Sequence, residues 1–526
     1  MRYWIQESII TIKNMSNNQS LFLRFGFAIT FSYLVYSFLS IDLLGDPSIF
    51  KRWGDFGDEG YWVSGAKNFL YYGSFSNGVD DLNQAEIGAP LYTLFLYISF
   101  ILFDDSLQIA RSLSVFFACL VVFSVFLSSI LSLKNKFIFT LLFVTSSTVI
   151  SNSQWGTPQS MQIFFEFLAM LTLCIALTDN KKSLLYFFSG AFAACVISTK
   201  LSGYIFVGCY FAVLLLIYMI TRKFKSIAAA CAGFFIFLTP LAIYLLINSA
   251  ELMIFLSGLG KHGALLYDNF PFIEFRPLFF LVFSYDTALK IILTFGILSG
   301  LYLLLPIRGK LAKVTQSQKN LKYFLFPVLM VLLYIFLTIT ADTADRRVYS
   351  FILPAIMCFV MLIAYEEDSK VKPYSIKLFC LNFLAFFLIS FNLYQFSIIK
   401  TNRTFSHSQL SAELNTILNK NDCVIGVISH WFVEDTKAIP VWYSKNIGLN
   451  AFNPKISFTN SKKCNRNFLI TGLFEGRYLD TELSKEDFVK KGFYLEAVQD
   501  VYIAPAHPSH IPRFDGTIFE ITPLDT

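Results

Sequence analysis

Charged residues are scarce in this chain, and their scarcity excludes most classes of soluble protein. Asp, Glu, Lys and Arg make up only 15% of the 526 residues, whereas a soluble domain carries about 25%, so the charges cannot cover the surface of a soluble protein of this size. The same composition excludes a disordered chain, a coiled coil and a small disulfide-rich domain. The 42 basic and 36 acidic residues nearly balance, and the basic ones lie in short clusters between apolar runs, so we predict no nucleic-acid partner.

Sequence motifs for metals and nucleotides are also lacking. There is no Cys-x-x-Cys pair and no Cys/His cluster, so a zinc site has no support, and there is no GxxxxGK[ST] loop for a nucleotide. Most of the nine cysteines lie within apolar runs, where cysteine behaves as a small apolar residue. Two others, Cys423 and Cys464, lie in the C-terminal segment and could form a disulfide.

Long apolar runs dominate what is present. Hydrophobic residues make up 55% of the chain, 60 residues are Phe, and the mean hydropathy is +0.57. A helix that crosses the hydrocarbon core needs about 20 mostly apolar residues. The run 183–221 is about twice too long for one crossing, and its polar interruption at 198–200 predicts a turn. The sequence predicts an all-α polytopic membrane bundle with about eleven spans: 21–44, 109–132, 136–152, 159–177, 183–199, 202–221, 226–248, 289–306, 322–341, 348–365 and 377–398.

Short basic loops set the predicted orientation. One further apolar run, 89–103, is short and begins near Pro90, so it is either a span or an interfacial helix. If it lies in the interface, the basic clusters between the later spans all fall on one side, and Lys and Arg in short loops mark the cytoplasm. We therefore favour an interfacial helix, a cytoplasmic N-terminus and a C-terminus on the outer side.

The predicted organisation has three parts. Residues 1–20 form a cytoplasmic N-terminal segment, 21–398 form the transmembrane part with a long first outer loop at 45–108, and 400–526 form an outer domain. That last part alternates polar stretches with β-like runs, which predicts a small α/β domain. The β-like runs are 423–428, 438–443 and 467–470.

Three carboxylates stand close together in the first outer loop, at Asp55, Asp58 and Glu59, among aromatic residues. A carboxylate that aromatic neighbours desolvate at the membrane surface has a raised proton affinity and could act as a general base. The alternative is a solvated loop in which Asp55 or Asp58 caps a helix that starts near Tyr61. The cluster could also hold a divalent metal, but one loop without a second set of ligands makes a poor octahedral site, so we predict no cofactor.

Several basic residues lie near the outer ends of the predicted helices, where Lys and Arg are unusual. An Arg fork and a Lys point charge suit the oxygens of a phosphate at the membrane surface. The alternative is that each side chain snorkels to outer head groups or pairs with Asp342 or Asp345. A carboxylate base together with such cations could move a group from a lipid phosphate to a hydroxyl. The basic residues are Arg111, Lys200, Arg346 and Arg347, with Lys261 and His262 in an outer loop.

Six short motifs occur in order between about residues 20 and 365. They are 57–61 (GDEGY) after the first span, 88–92 (GAPLY), 110–114 (ARSLS) at a span start, 157–160 (TPQS), 199–203 (TKLSG) at a turn, and 347–349 (RVY) with Pro354 in a helix. In order and spacing these motifs resemble those of the GT-C membrane glycosyltransferases. The resemblance is to the branch that contains protein O-mannosyltransferases and lipid A aminoarabinose transferases.

The resemblance implies a helical bundle with interfacial helices on its outer face, and a polyprenyl-phosphate-linked sugar donor whose sugar is transferred with inversion. By position, Asp58 would be the base that activates the acceptor, with Glu59 beside it. The donor phosphate would be bound by Arg111, Lys200 and Arg347, with Arg346 next to them. Possible further substrate contacts are Asp55, Tyr61, Gln159, Lys261 and His262.

The chain also departs from that branch. Many relatives carry an acidic residue where this chain has Gln159, and the nearest carboxylate along the helix is Glu166, two turns deeper. In addition, Tyr61 follows Glu59 more closely than is usual. The acceptor or the activity could differ for this reason, or Asp55 could substitute for the second carboxylate.

We therefore predict a glycosyltransferase that transfers sugar to a lipid, glycan or protein on the periplasmic face of a bacterial plasma (inner) membrane. Membrane lipids would be its other partners. One alternative is a transporter or lipid-glycan flippase, which would need charges within the spans; the span interiors lack them apart from Glu166 and the end positions. Another alternative is a non-catalytic membrane partner, in which Asp58 would be dispensable.

Overall fold

The fold comes from a computed structural model of the chain. Most of the predicted apolar runs fall in its described part, whereas much of the first outer loop and the whole of 248–286 do not. The structure describes residues 24–41, 43, 59, 62–63, 65–67, 69–70, 89–178, 183–200, 203–247, 287–304, 322–339, 345–368, 376–401, 406–420, 422–426, 436, 438–442, 465–474, 477–479, 489, 493–503 and 514–523.

Helices form where the apolar runs predict them, because a segment in lipid has to satisfy its backbone hydrogen bonds internally. Within the described residues, five helices are long and apolar enough to cross a membrane: α3, α6, α8, α9 and α13. The chain is a multi-pass membrane protein. In order the helices are α1 (Arg24–Leu39), α2 (Pro90–Leu102), α3 (Leu107–Leu127), α4 (Leu133–Thr145), α5 (Ser147–Ser153), α6 (Gln159–Thr178), α7 (Ser183–Thr199), α8 (Tyr204–Thr221), α9 (Phe224–Ile247), α10 (Thr287–Leu304), α11 (Lys322–Ile339), α12 (Asp345–Asp368) and α13 (Ile376–Thr401).

The prediction of one continuous span over 136–152 is wrong. Helix α4 ends at Thr145, Ser146 takes an extended backbone with φ −62° and ψ 123°, and α5 begins after it. The hydroxyl of Thr145 donates to the carbonyl of Leu141 over 2.6 Å. Ser and Thr side chains compete for backbone hydrogen bonds in this way, which weakens the helix at this polar stretch.

Two other boundaries agree with the predictions. Helix α7 ends at Thr199 and α8 begins at Tyr204, so the predicted break between two helices is confirmed, although Ser198 and Thr199 still belong to α7. Helix α2 has only 13 residues, or about 20 Å, which is too short to cross a hydrocarbon core of about 30 Å. Its length favours the interfacial interpretation of 89–103.

Helices α7 and α9 pack with their backbones unusually close. A Cβ atom added at Gly190 would overlap the backbone carbonyl of Ala230, and one added at Gly233 would overlap that of Phe187. Small residues allow this kind of approach between helices in a membrane. The glycines are therefore required by packing.

A buried lysine marks the C-terminal end of α3. The Lys136 Nζ donates to the carbonyls of Phe126 over 2.7 Å and Ser128 over 2.6 Å. These carbonyls have no partner within the helix, and a cation is favourable next to them because of the helix dipole. The start of α4 is thereby fixed against the end of α3.

Two further lysines tie other helix ends to the same place. Lys134 contacts Glu367 near the end of α12 over 2.8 Å, and Lys377 near the start of α13 contacts Glu366 over 2.7 Å. The ends of α3 and α12 and the starts of α4 and α13 therefore lie together. We call this the basic end of the bundle, after Lys134, Lys136 and Lys377.

The described residues after 405 form a helix and a mixed sheet. Strand β1 runs parallel to β2 and β3, whereas β6 is antiparallel to β3 and β5, and the strand order is β2-β1-β3-β6-β5 with β4 paired to β3. The elements are α14 (Ser406–Ile417), β1 (Cys423–Gly426), β2 (Ile439–Trp442), β3 (Asn467–Phe474), β4 (Arg477–Leu479), β5 (Phe493–Ile503) and β6 (Phe514–Pro523).

Polar and covalent contacts fix the entry to this sheet. Asp422 is buried and accepts from Nη2 of Arg466 over 2.6 Å, and the same nitrogen donates to the carbonyl of Ile417 over 2.8 Å. Cys423 is disulfide-bonded. Cys464, its predicted partner, lies outside the described residues.

Candidate functional site

A buried ion pair joins the first outer loop to α3. Arg111, in the first two turns of α3, donates from Nε to Oε1 of Glu59 over 2.8 Å and from Nη2 to Oε2 over 2.9 Å. Both side chains are fully buried, with 0% of their surface exposed. A buried pair of this kind needs good geometry and partners for its remaining polar groups.

Two backbone groups supply those partners. Nη1 of Arg111 donates to the carbonyl of Leu43 over 2.9 Å, and the backbone N–H of Gly156 donates to Oε1 of Glu59 over 2.7 Å. Four segments therefore meet at one point: the residues after α1, the first outer loop, the start of α3 and the loop between α5 and α6. We call Leu43, Glu59, Arg111 and Gly156 the Glu59 cluster.

Gly156 leaves little room for a side chain. A Cβ atom there would lie 3.0 Å from the Cβ of Ala110 and 3.3 Å from Oε1 of Glu59, which is tighter than ordinary van der Waals contact. The next residue is also held, because the hydroxyl of Ser114 donates to the carbonyl of Thr157 over 3.1 Å. The loop therefore presents its N–H to Glu59 in a fixed position.

Lys200 lies beside the same outer loop. Its Nζ is 5.2 Å from the centroid of the Trp62 ring, a cation–π geometry. Trp62 follows Glu59 by three residues, and Lys200 follows the last residue of α7. The structure thus brings Lys200, one of the predicted phosphate-binding residues, to the loop that carries the predicted catalytic carboxylates.

The predicted pair Arg346 and Arg347 lies in the first turn of α12, and their side chains are outside the described part of the structure. Helix α12 has 24 residues, or about 36 Å, and its last turn contacts Lys134 at the basic end. Its first turn therefore lies at the opposite end of the bundle. Helix α3 begins at that same end, with Arg111.

Five predicted site residues lie outside the described residues, so their positions stay predictions: Asp55, Asp58, Tyr61, Lys261 and His262. Asp58 directly precedes Glu59, and consecutive Cα atoms are about 3.8 Å apart. The Glu59 cluster therefore fixes one neighbour of the predicted base.

Gln159 is the first residue of α6, next to the loop that contains Gly156. It is 3% exposed, and its Oε1 has no hydrogen-bond partner in the described part of the chain. Deeper in α6, Nε2 of Gln162 donates to Oε1 of Glu166 over 2.7 Å. Gln159 and Glu166 thus lie on one helix at different depths.

The pairing of Glu59 with Arg111 differs from what the sequence suggested for each. Arg111 was expected at a phosphate, but its guanidinium binds Glu59 and the Leu43 carbonyl, so phosphate binding by Arg111 would require this pair to open. Both Glu59 oxygens are also engaged. These contacts join the first outer loop to α3 and to the loop between α5 and α6.

The sequence motifs do not indicate Gly156 or the Leu43 carbonyl as parts of the site. Lys67 is a further buried basic residue of the same loop: it is 2% exposed, and Val63 and Ala66 beside it are fully buried. Nothing in the sequence distinguishes Gly156 or the carbonyl of Leu43. Among the described residues, no group of three His, Cys, Asp or Glu could hold a metal ion.

The fold is similar to that of ArnT from Cupriavidus metallidurans. With undecaprenyl phosphate bound, that protein matches 94% of this chain and 97% of its own length with a TM-score of 0.55 and 10% identity. The chain therefore shares the overall fold of this ArnT structure. The apo state of ArnT matches the same shares of both chains with a TM-score of 0.52 and 11% identity. The fold implied by the sequence motifs is therefore confirmed.

A third similar structure is the oligosaccharyltransferase of Archaeoglobus fulgidus in its apo form, with a TM-score of 0.49 and 11% identity over 85% of this chain and 69% of that one. No sequence-family profile matches the chain, and no curated protein sequence matches it. At sequence identities of 10% and 11%, these similarities show a shared fold and say nothing about the reaction.

Proposed function

We propose that the chain is a glycosyltransferase that moves a sugar from a polyprenyl-phosphate-linked donor to a hydroxyl of a lipid, glycan or protein. The observation that carries the proposal is the Glu59 cluster, because it joins the motif at 57–61, the motif at 110–114 and the residue before the motif at 157–160. ArnT, which has this fold, is known with undecaprenyl phosphate bound. That complex supports a polyprenyl-phosphate-linked donor here.

In this proposal Asp58 is the general base. Its carboxylate takes the proton of the acceptor hydroxyl while the acceptor oxygen forms a bond to the anomeric carbon. The bond from that carbon to the phosphate oxygen breaks on the opposite face, so the configuration inverts and polyprenyl phosphate leaves. Lys200, Arg346 and Arg347 stabilise the charge on the departing phosphate.

Glu59 and Arg111 act as positioning residues in this proposal. Their pair is buried and hydrogen-bonded at every carboxylate oxygen, so it fixes the backbone next to Asp58. A base has to lie within hydrogen-bond reach of the proton that it takes. Displacing the pair would therefore misplace the base without touching the substrate.

The proposal includes a membrane topology. About eleven spans in 21–398 follow a cytoplasmic segment 1–20, and 400–526 forms a domain on the periplasmic side of a bacterial inner membrane. Lys134, Lys136 and Lys377 lie together at the basic end of the bundle. Because Lys and Arg are enriched on the cytoplasmic side of membrane proteins, this supports a cytoplasmic location for the basic end. The disulfide at Cys423 supports an oxidising compartment for the C-terminal part.

The test is to replace Asp58 in the purified full-length chain and measure transfer of labelled sugar from polyprenyl-phosphate donors. We expect Asp58→Asn to lower kcat by about 10²–10⁴-fold while the unfolding temperature stays the same. Asp104→Asn is the matched control, because Asp104 is an exposed carboxylate of the same outer loop. Unchanged transfer by Asp58→Asn would exclude Asp58 as the general base. A wild type that transfers no sugar would contradict the proposed reaction.

A transporter or lipid-glycan flippase is the second candidate, and one observation favours it. Glu166 is 5% exposed inside an apolar helix, and ionisable groups within spans often line a transport path. Glu166→Gln keeps the size of the side chain and its ability to accept from Gln162. A glycosyltransferase should retain sugar transfer in this variant. Movement of a labelled lipid-linked glycan across proteoliposomes, lost in Glu166→Gln, would favour the transporter.

A further inference from the structure

Three polar side chains at the start of α6 are buried. Thr157, Gln159 and Ser160 are 0%, 3% and 2% exposed. Within the described residues, Thr157 Oγ1, Gln159 Oε1 and Ser160 Oγ have no hydrogen-bond partner. Buried side-chain polar atoms are nearly always hydrogen-bonded in folded proteins, so three such groups within four residues make the start of α6 a candidate binding site.

The segment that carries these groups is firmly held on one side. The N–H of Gly156 donates to Glu59, and the Thr157 carbonyl accepts from Ser114. The unsatisfied groups therefore lie beside the Glu59 cluster, and Glu59 directly follows Asp58 in the sequence. A molecule bound at the start of α6 would be next to the loop that carries the proposed base.

The chemistry of the groups selects what can bind. The Oε1 of Gln159 only accepts hydrogen bonds, whereas the hydroxyls of Thr157 and Ser160 both donate and accept. A sugar hydroxyl offers both functions and therefore matches either orientation of the Gln159 amide. The first turn of α6 has no acidic residue, and both oxygens of Glu59 are engaged, so these residues offer no carboxylate to an ammonium group or a divalent cation.

We propose that Thr157, Gln159 and Ser160, which are themselves uncharged, bind hydroxyl groups of the transferred sugar, a hexose or pentose. The inference rests on the proposed function and adds the substrate class. The neutral side chain of Gln159, which stands where many relatives have an acid, is then part of the sugar site. The three residues bind substrate and take no proton in the reaction.

Binding can be measured without turnover. The full-length chain in nanodiscs is unfolded thermally with undecaprenyl phosphate alone and with undecaprenyl phosphate carrying a neutral hexose or pentose. A ligand that binds only the native state raises the unfolding temperature, so the difference between the two lipids reports the sugar. We expect this difference to fall sharply in Thr157→Val and Gln159→Leu, while the effect of undecaprenyl phosphate alone is kept.

Thr140→Val is the matched control. Thr140 is a threonine of α4 that is 3% exposed and, like Thr157, has no hydrogen-bond partner for Oγ1 in the described part of the chain. Both substitutions remove a buried hydroxyl at nearly constant volume, so any general effect on folding appears in both. Only Thr157→Val should change the stabilisation that the sugar adds.

Transfer kinetics with deoxy sugars identify the hydroxyl. With the wild type, the deoxy donor that lacks the bound hydroxyl should lose about 3- to 10-fold in kcat/KM, the usual value of one hydrogen bond. With Thr157→Val, the deoxy donor and the complete donor should have the same kcat/KM, because the variant already lacks the hydroxyl that binds this sugar group.

The outcomes separate this inference from the proposed function. If the wild type transfers sugar and the variants keep the full stabilisation by sugar, the three groups bind only structural water, and the inference is overturned while the function stands. If sugar binding is lost in the variants but no donor is turned over, the sugar site stands and the transferase proposal fails. If the sugar adds no stabilisation even to the wild type, the site is absent.

Discussion

Arg111 and Glu59 face each other through two hydrogen bonds of 2.8 and 2.9 Å, in a place with no exposed surface. They are far apart in sequence, and their contact closes the first outer loop onto α3. Removing one partner of such a pair leaves an uncompensated buried charge, whereas replacing both with apolar residues can be nearly neutral. The pair can therefore be tested for stability and for function separately.

We predict that Arg111→Met lowers the free energy of unfolding by about 3–5 kcal/mol. The double variant Glu59→Leu/Arg111→Met should regain most of that stability and yet stay inactive, because Gly156 no longer has an acceptor and the backbone next to Asp58 is released. Thermal unfolding in detergent and sugar transfer measure the two effects.

Lys134→Met is the control for that pair. Lys134 contacts Glu367 through a side chain that is 51% exposed, and exposed ion pairs contribute about 0–1 kcal/mol. Full stability in Arg111→Met would mean that the buried pair does not hold the fold. Full activity in the double variant would mean that it does not position the base.

We predict opposite results for two glycine-to-alanine substitutions. In Gly156→Ala the new Cβ would lie 3.3 Å from Oε1 of Glu59, so the carboxylate has to move and both stability and transfer should fall. In Gly208→Ala the new Cβ meets nothing within 4 Å, and alanine in a helix interior is favoured over glycine by about 0.5–1 kcal/mol. Its unfolding temperature should hold or rise slightly. Equal effects of the two substitutions would show that contact with Glu59 is unimportant.

The length and composition of each apolar run predict the helices that the structure shows. The bounds of α7 match the predicted span 183–199, because the length and composition of an apolar run decide whether it forms a helix in a membrane. The break at Ser146 was missed, since a short Ser/Thr stretch within an apolar run also occurs inside continuous helices. Its effect depends on which backbone groups the hydroxyls bind.

The candidate site was predictable in its residue types and not in its pairings. Sequence identified Glu59, Arg111 and Lys200 from their charge and position. It could not show that Arg111 binds Glu59, because such a contact depends on how distant segments pack. The roles of main-chain groups such as the Leu43 carbonyl carry no sequence signal at all, and the site of Asp58 stays a prediction.

We predict that Lys200→Met raises KM for the lipid-phosphate donor about 10-fold, with a smaller change in kcat, because Lys200 contributes charge to donor binding. Lys200→Arg should retain part of the affinity. Trp62, whose ring lies 5.2 Å from Nζ, orients the ammonium, so Trp62→Leu in a Lys200→Met background should cause little further loss. Steady-state kinetics of the wild type, Lys200→Met, Trp62→Leu and the double variant gives the coupling energy between Lys200 and Trp62.

Arg222 provides the control for that cation–π contact. Its guanidinium carbon lies 6.0 Å from the ring of Tyr218 at the end of α8, away from the motifs of the proposed site. Arg222→Met should lose a comparable contact and leave KM for the donor unchanged. An equal rise in KM for Arg222→Met and Lys200→Met would show that general destabilisation, and not phosphate binding, causes the effect.

Opposite sidedness of Asp104 and Lys134 is the last prediction. Helix α3 lies between the two residues and has 21 residues, or about 31 Å, enough for one crossing of the hydrocarbon core. Both side chains are exposed, so a cysteine at either position should react with a maleimide that can reach it. The free native cysteines, of which Cys380 is exposed, are replaced beforehand.

In intact spheroplasts an impermeant maleimide should label Asp104→Cys, and it should label Lys134→Cys only after permeabilisation. This pattern would place the Glu59 cluster outside and the basic end in the cytoplasm, in agreement with the enrichment of Lys and Arg in short cytoplasmic loops. Labelling of both cysteines from one side would mean that α3 does not cross the membrane. The reverse pattern would put Asp58 in the cytoplasm and remove the proposed transfer on the periplasmic face, because the proposed base would then face the wrong compartment.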